Sequence, residues 1–341
     1  MARKITRLED LATLAGVSIA TVSRALNDSP AINLATKQRI WKLARENNYP
    51  FRRYMPAGPI GARATIAIVV PKPQSREGQL DDPFFLELFA GVGEAARERG
   101  CDVIVSHVSP STYEDLATLM TTSRAAGVIF LGQSTLHREF NQLAETESAF
   151  VVWGAQLPDQ TYCSVGSDNV EGGRRATAHL ARLGRRRIVF LGDTEAPEAG
   201  QRLQGYYDAL RQATMTVDPA LVVPSHFEVE SAAAAADALL ARDGRREGAF
   251  DGIVAVSDLV ALGAIRALTR AGVRVPQDVS VVGYDNVPFA RYSTPALTTI
   301  SQNTSRAGRL LVTKLLAASA TDEIRSERIA TDLIVRESCG G

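Results

Sequence analysis

The segment ITRLEDLATLAGVSIATVSRAL, residues 5–26, constrains this 341-residue chain more than any other stretch. Thr6 and Glu9 stand at capping-box spacing, in which each side chain satisfies a backbone donor at a helix start. Leu8, Leu11, Ala12 and Ala15 then recur at helical spacing and give that helix one apolar face. Gly16 interrupts the run, and a residue without a β-carbon takes the left-handed backbone of a sharp inter-helix turn. Ser18 is a good N-cap for a second helix carrying Ile19 to Leu26, with Val22 and Leu26 on one face. Two short helices closing on small residues across a glycine turn form a helix-turn-helix, whose second helix lies in the major groove of DNA. Ile19, Ala20, Thr21 and Arg24 are thereby placed to read base edges, and Leu8, Ser18, Ser23 and Asn27 complete the DNA-facing set.

An ordinary helical hairpin would show the same pattern, but the surroundings favour the DNA reading. Residues 33–48 read as a third helix, with Asn33 as cap and Ile40, Leu43 and Ala44 on one face. Charge also segregates. Residues 1–63 hold eleven Lys and Arg against four Asp and Glu, whereas the remainder holds 27 against 34, so a net charge of zero conceals a basic head on an acidic body. A basic head is what phosphate contacts need.

LEDLATLAGVSIATVSRALN resembles the DNA-binding signature of the lactose-repressor (LacI) family of bacterial transcription regulators. The likeness continues in order through DPFFLELFAGV at 82–92, GVIFLG at 127–132, VGSDNVEGGRRATAHLARLGRRRIVFLG at 165–192, RLQGYYDAL at 202–210, the long block at 250–300 and LIVRES at 333–338. It covers nearly the whole chain.

Length and composition fit two or three domains, and 45% hydrophobic residues suffice for large cores. No apolar run approaches the ~18 residues of a membrane span, and the start MARKITRLED lacks the apolar core of a signal peptide. The expectation is a cytoplasmic protein with no membrane partner. Cys101, Cys163 and Cys339 lie far apart and suit buried thiols better than a disulfide framework; with only four histidines, no metal or other cofactor is expected.

From Ile66 onward, IAIVV, DVIV, GVIFL, AFVVW, RIVFL, GIVAV and VSVVG each have the near-continuous apolar character of a strand covered on both faces. Crossover-length segments separate several of them, which implies an α/β body of doubly wound parallel sheets with its ligand at the carboxyl ends of the strands. The resemblance refines this to two lobes like those of periplasmic sugar-binding proteins, joined by three crossing strands around an effector cleft. It divides the chain into a head at 1–50, a hinge at 51–63 and an effector-binding and dimerisation domain at 64–341. The first lobe would take about 64–164 and 302–327, the second about 165–300 and 328–338.

Phe84 and Phe85 follow Asp82-Pro83 at a strand-to-helix transition, where aromatic faces stack on a sugar ring or pack in the core. The resemblance matches Arg202 to the arginine that reaches the effector and Asp285 to an acid that accepts ligand hydroxyl or amine donors. A planar guanidinium suits paired hydroxyls or a carboxylate. Ser257 stands where many relatives carry a small polar group, Asp258 is read as a cap for the following helix, and Trp153 is either a stacking face or core. Asp168 and Asn169 are assigned to local turn geometry.

The hinge departs from the family pattern. Phe51 replaces an asparagine, Tyr54 and Met55 replace Ala-Arg, and Ala57 occupies a leucine position, while Pro56, Gly58, Pro59 and Gly61 oppose a regular helix beyond Met55. Either Met55 or Ile60 wedges a base step, or a basic linker touches phosphates through Arg52 and Arg53.

The partners expected are a palindromic double-stranded operator, a second copy in a homodimer, and a sugar effector, with a purine as the alternative. The chain ends in ESCGG rather than the leucine-heptad helix of tetrameric relatives. An enzyme reading founders on context: the GVGEAA run at 91–96 lies inside a helical pattern rather than after a strand, and no GxxxxGK[ST] or GxSxG motif occurs. A sugar-binding protein without DNA contacts would leave the basic head unexplained.

Overall fold

The computed structural model describes residues 7–26, 29, 31–47, 64–71, 82–123, 125–133, 135–243, 249–318 and 325–340. The chain divides into two compact units, residues 1–62 and 63–341.

In the first unit, helices α1 (Leu8–Ala15), α2 (Ile19–Leu26) and α3 (Leu34–Glu46) enclose Leu11, Ala12, Ala15, Val22, Ala25, Ile40 and Ala44. Gly16 takes φ +63°, and its N–H and that of Val17 donate to carbonyls at the end of α1, closing the helix for the turn. Ser18 caps α2 by accepting from the Thr21 N–H at 3.1 Å, and Asn33 caps α3 by accepting from the Thr36 N–H at 2.8 Å. The start of α1 differs from expectation: its N-cap is Arg7, which makes no side-chain cap bond, and Thr6 lies outside the described residues.

The second unit holds two six-stranded sheets. Its elements run β1 (Thr65–Val69), α4 (Pro83–Glu98), β2 (Asp102–Val105), α5 (Tyr113–Thr122), β3 (Gly127–Leu131), α6 (His137–Ala144), β4 (Phe150–Trp153) and β5 (Ser164–Ser167). There follow α7 (Asn169–Arg182), β6 (Ile188–Leu191), α8 (Pro197–Gln212), β7 (Val222–Val223), α9 (Val229–Asp243), β8 (Gly252–Ala255), α10 (Asp258–Arg270), β9 (Ser280–Asp285) and α11 (Pro288–Tyr292). The chain then forms β10 (Thr298–Ser301), α12 (Thr304–Ala318), β11 (Glu327–Ile329) and β12 (Asp332–Ile334). The first sheet runs β11-β5-β4-β3-β1-β2, every neighbouring pair parallel. The second runs β12-β10-β9-β8-β6-β7, parallel except where β12 opposes β10.

Each apolar run of the sequence forms a strand because helices cover the sheet faces and remove alternate as well as inward residues from water. DVIV is the exception. As β2 it is an edge strand, and Ile104 and Val105 remain 47% and 54% exposed. The short polar strands β5 and β10 gave no such apolar signal.

Among the described residues the chain passes between the lobes at Asp168, at residues 302–303 and at residues 330–331. β5 and β11 therefore belong wholly to the first sheet, a few residues beyond the limits of 164 and 327 expected for that lobe. Helices α4 and α12 pack at a glycine contact: a β-carbon on Gly308 would lie 2.1 Å from the Gly91 carbonyl carbon, and one on Gly91 would lie 2.6 Å from the Thr304 carbonyl oxygen. That contact sets the middle of α4, two turns beyond Phe84 and Phe85, against the start of α12.

Candidate functional sites

On α2, the helix assigned to the major groove, Ile19, Ala20 and Arg24 are exposed, as is Ser18 just before it. Thr21 and Ser23 are half-buried, and the Ser18 and Thr21 hydroxyls lie 2.9 Å apart. Leu8 sits half-buried against the three-helix core, so its side chain serves packing. Asn27, Arg52, Arg53 and Met55 lie outside the described residues, as does the whole of 48–63.

In the second unit the carboxyl ends of both sheets converge on one cleft. Asp82 caps α4 by accepting from the Phe84 N–H at 2.9 Å, and Pro83 opens the helix with its φ already set. Phe84 is buried, with ring centroids 5.6 Å from Phe85 and 5.8 Å from Trp153; Phe85 is half-buried. Trp153 is buried in the first-lobe core, with Phe84 packed against it.

Arg202 is only 6% exposed. Its Nε donates to Asn169 Oδ1 at 2.9 Å and its Nη1 to the Val256 carbonyl at 2.6 Å, while the guanidinium stacks 3.7 Å above the Tyr284 ring. The side chain is thus oriented by groups from α7, β8 and β9 before any ligand arrives. Asn169 is therefore a support for Arg202 and not merely a turn residue, whereas Asp168 does act locally, capping α7 through the Glu171 N–H at 3.1 Å.

Asp285 ends β9 with φ +117°, a conformation that side chains with a β-carbon rarely adopt. It lines a cavity of about 220 Å³ between the lobes with Phe84, Glu87, Asn286, Arg291, Ser301 and Asn303. Burial pushes its carboxyl well above the ordinary carboxylate range, against the pull of Arg202. Glu198, one helical turn before Arg202, is raised in the same way, with Arg202 and the Ala155 N–H opposing the shift. The sequence reading did not single out Glu198.

Ser257 takes the capping role expected of Asp258. Ser257 caps α10 by accepting from the Val260 N–H at 3.3 Å, and Asp258 is the first helical residue. The Asp258 carboxylate accepts from the Val287 N–H at 2.9 Å and the Thr299 hydroxyl at 2.5 Å, pinning the segment after Asp285 to β10. Burial raises its pKa to about 7. The native state holds this proton more tightly than an unfolded carboxyl near 3.8, so the contribution favours folding fully at acid pH and is lost as pH rises through about 7. Melting temperatures across pH 4 to 9 should therefore fall towards alkaline pH, and Asp258→Asn, whose amide can still accept from Val287 and donate to Thr299, should flatten that fall. An unchanged slope in the variant would remove Asp258 as its source.

All three cysteines are buried and free of disulfides. Among the described residues no helix is long and apolar enough to cross a membrane.

Comparison with known proteins accounts for both units. Residues 7–50 match the family described as "Bacterial regulatory proteins, lacI family", and residues 177–339 match "Periplasmic binding protein-like domain". The chain is 34% identical to the HTH-type transcriptional regulator CelR of Thermobifida fusca, over 98% of this chain and 99% of that one. It belongs to the LacI family. It is also 27% identical to the ribose operon repressor of Haemophilus influenzae, over 97% of this chain and 98% of that one. Among solved structures, a CelR–cellobiose complex superposes with a TM-score of 0.69 at 32% identity, covering 98% of this chain and 100% of that one. The lac repressor dimer bound to operator and the anti-inducer ONPF superposes with a TM-score of 0.69 at 25% identity, covering 98% of this chain and 99% of that one. LacI-family members are transcription regulators rather than enzymes, and this chain is a DNA-binding regulator controlled by a small-molecule effector.

Proposed function

We propose that this LacI-family regulator acts in the cytoplasm, without catalysis, as a repressor that binds a palindromic operator as a dimer and answers to a sugar held between its lobes. The observation that carries the effector reading is the inter-lobe cavity lined by Asp285 and Phe84, with the buried guanidinium of Arg202 acting on the Asp285 carboxyl. Arg202 supplies directed donors, Asp285 accepts hydroxyl protons, and Phe84 and Phe85 cover an apolar ring face. Relatives with cellobiose in a solved complex and a ribose repressor among them support a sugar; the PurR relatives, such as that of Aliivibrio salmonicida at 29% identity, give a purine no better claim. Thermal-shift screening against neutral sugars, sugar phosphates and purines tests this, since a ligand that prefers the native state raises its melting temperature. A shift with purines alone would reverse the assignment.

Discrimination by one small head rests on a few base contacts of ~1 to 3 kcal/mol each, so two heads on a two-fold site are needed for useful specificity. The exposed edge strand β2 with Leu86 and Val108 offers an apolar face for the second copy. Titration of a selected operator should saturate at two chains per site, and one chain per site would refute the dimer. Ile19, Ala20, Thr21 and Arg24 are the proposed base readers, with Ser18, Ser23, Asn27, Arg52, Arg53 and Met55 as neighbouring contacts. Arg24→Ala is expected to weaken specific operator binding about 10- to 100-fold while leaving effector affinity unchanged. Equal loss of both in parallel titrations would contradict a modular head.

A further inference from the structure

The cleft acid Asp285 is joined to the first lobe through one buried amide. Gln302 lies on the second crossing, directly after β10, and is 2% exposed. Its Nε2 donates to Asp285 Oδ1 at 2.5 Å, and its Oε1 accepts from the Ser167 hydroxyl at 2.6 Å. Ser167 is the last residue of β5 in the first sheet, whereas Asp285 ends β9 and Gln302 follows β10 in the second. The two hydrogen bonds therefore differ in kind. One lies within the second lobe and survives any rigid movement of it. The other spans the lobes, and a rotation about the crossings lengthens or shortens it.

We infer that Gln302 is the coupling residue of the receptor, reading the state of Asp285 on one side and fixing the position of the first lobe through Ser167 on the other. The inference rests on the reading of Asp285 as a contact for the effector. An amide polarised by a carboxylate on its N–H side is a stronger acceptor on its oxygen side, so anything that orders Asp285 strengthens the Ser167 bond. A ligand shifts lobe arrangement only through a contact that differs between arrangements, and Ser167–Gln302 is such a contact. Asp285, the acid this amide holds, and Asn303, the residue after it, both have positive φ, conformations that packing must maintain.

The test uses the full-length protein with spin labels at Glu114→Cys on α5 and Gln212→Cys on α8, both exposed and one in each lobe. The native cysteines are buried, and labelled chains are diluted with unlabelled ones so that distances within one chain are read. Two variants are compared with the parent, Ser167→Ala and Gln302→Met. Ser167→Ala removes only the inter-lobe half, and keeps the proposal testable should Gln302→Met fail to fold. Both are expected to shift the ligand-free distribution about fivefold or more towards a second inter-lobe distance. Calorimetric titration with cellobiose and ribose should show affinity within about twofold of the parent for Ser167→Ala and a larger loss for Gln302→Met, which alone disturbs Asp285. Distributions that match the parent in both variants overturn the proposal. Shifted distributions in a protein whose parent binds neither sugar support the mechanical link and count against the sugar reading instead.

Discussion

Replacing Arg202 with alanine is expected to abolish the response to effector at concentrations that saturate the parent, with apparent affinity falling at least about 100-fold. The guanidinium is held by Asn169, the Val256 carbonyl and the Tyr284 ring, so it needs no further ordering to act beside Asp285. Its removal strips the buried Asn169 oxygen and Val256 carbonyl of a donor, and it takes away a cation that holds the Asp285 and Glu198 carboxyls down against burial. Both acids then shift further towards the protonated form. Breaking a buried charge network of this kind costs about 3 to 5 kcal/mol of stability, so the receptor unit should also melt earlier. The head lies in a separate unit, and operator affinity without effector should stay within about threefold of the parent. Calorimetry and operator titration on one preparation decide the matter: an Arg202→Ala protein that still releases or engages its operator at the parental effector concentration would remove this residue from the site.

Gly308→Val should have the largest effect on folding. A β-carbon there would come within 2.5 Å of three backbone atoms of Gly91 and Val92, and backbone cannot move aside as a flexible side chain does. The helices α4 and α12 must separate, opening a gap beneath Leu88, Val92, Leu311 and Val312. Overpacking in a core commonly costs 1 to 3 kcal/mol, and the loss of a helix–helix contact adds to it, so a deficit above about 3 kcal/mol is expected. For a unit of this size that corresponds to a fall of roughly 6 to 12 °C in melting temperature. Since α4 carries Phe84 and Phe85, effector affinity should decline with it. A Gly308→Val protein that melts as the parent does would show that the two helices are not held at this distance.

The alternation of apolar runs with crossover segments made the doubly wound body legible, and Gly16 with Ser18 made the two-helix head legible, because these features depend on neighbours in sequence. The edge position of DVIV was not legible: its apolar character is that of an inner strand, and only the order of the sheet shows that Ile104 and Val105 have one side open. Ser257 and Asp258 were not told apart in sequence because either side chain can cap a helix; what decides between them is that Thr299 and Val287, far along the chain, occupy the Asp258 carboxylate. Trp153 was ambiguous for the same reason. Its burial follows from the packing of Phe84 against it and not from its own surroundings in sequence. Asn169 was read as a turn residue and Glu198 and Gln302 carried no motif; their significance comes from partners 33, 4 and 17 positions away on other turns and strands.

The three passages between lobes have a consequence for synthesis. Strand β11 completes one sheet and β12 the other, and both follow every other strand of the receptor in the chain. Neither sheet of the receptor can be finished until residues 327–334 have been made, long after the N-terminal reader. Truncation between residues 63 and 327 would leave both sheets without the strand that closes one edge. Nor can either lobe be exchanged between genes by a single crossover, because each is written in separated pieces of the coding sequence.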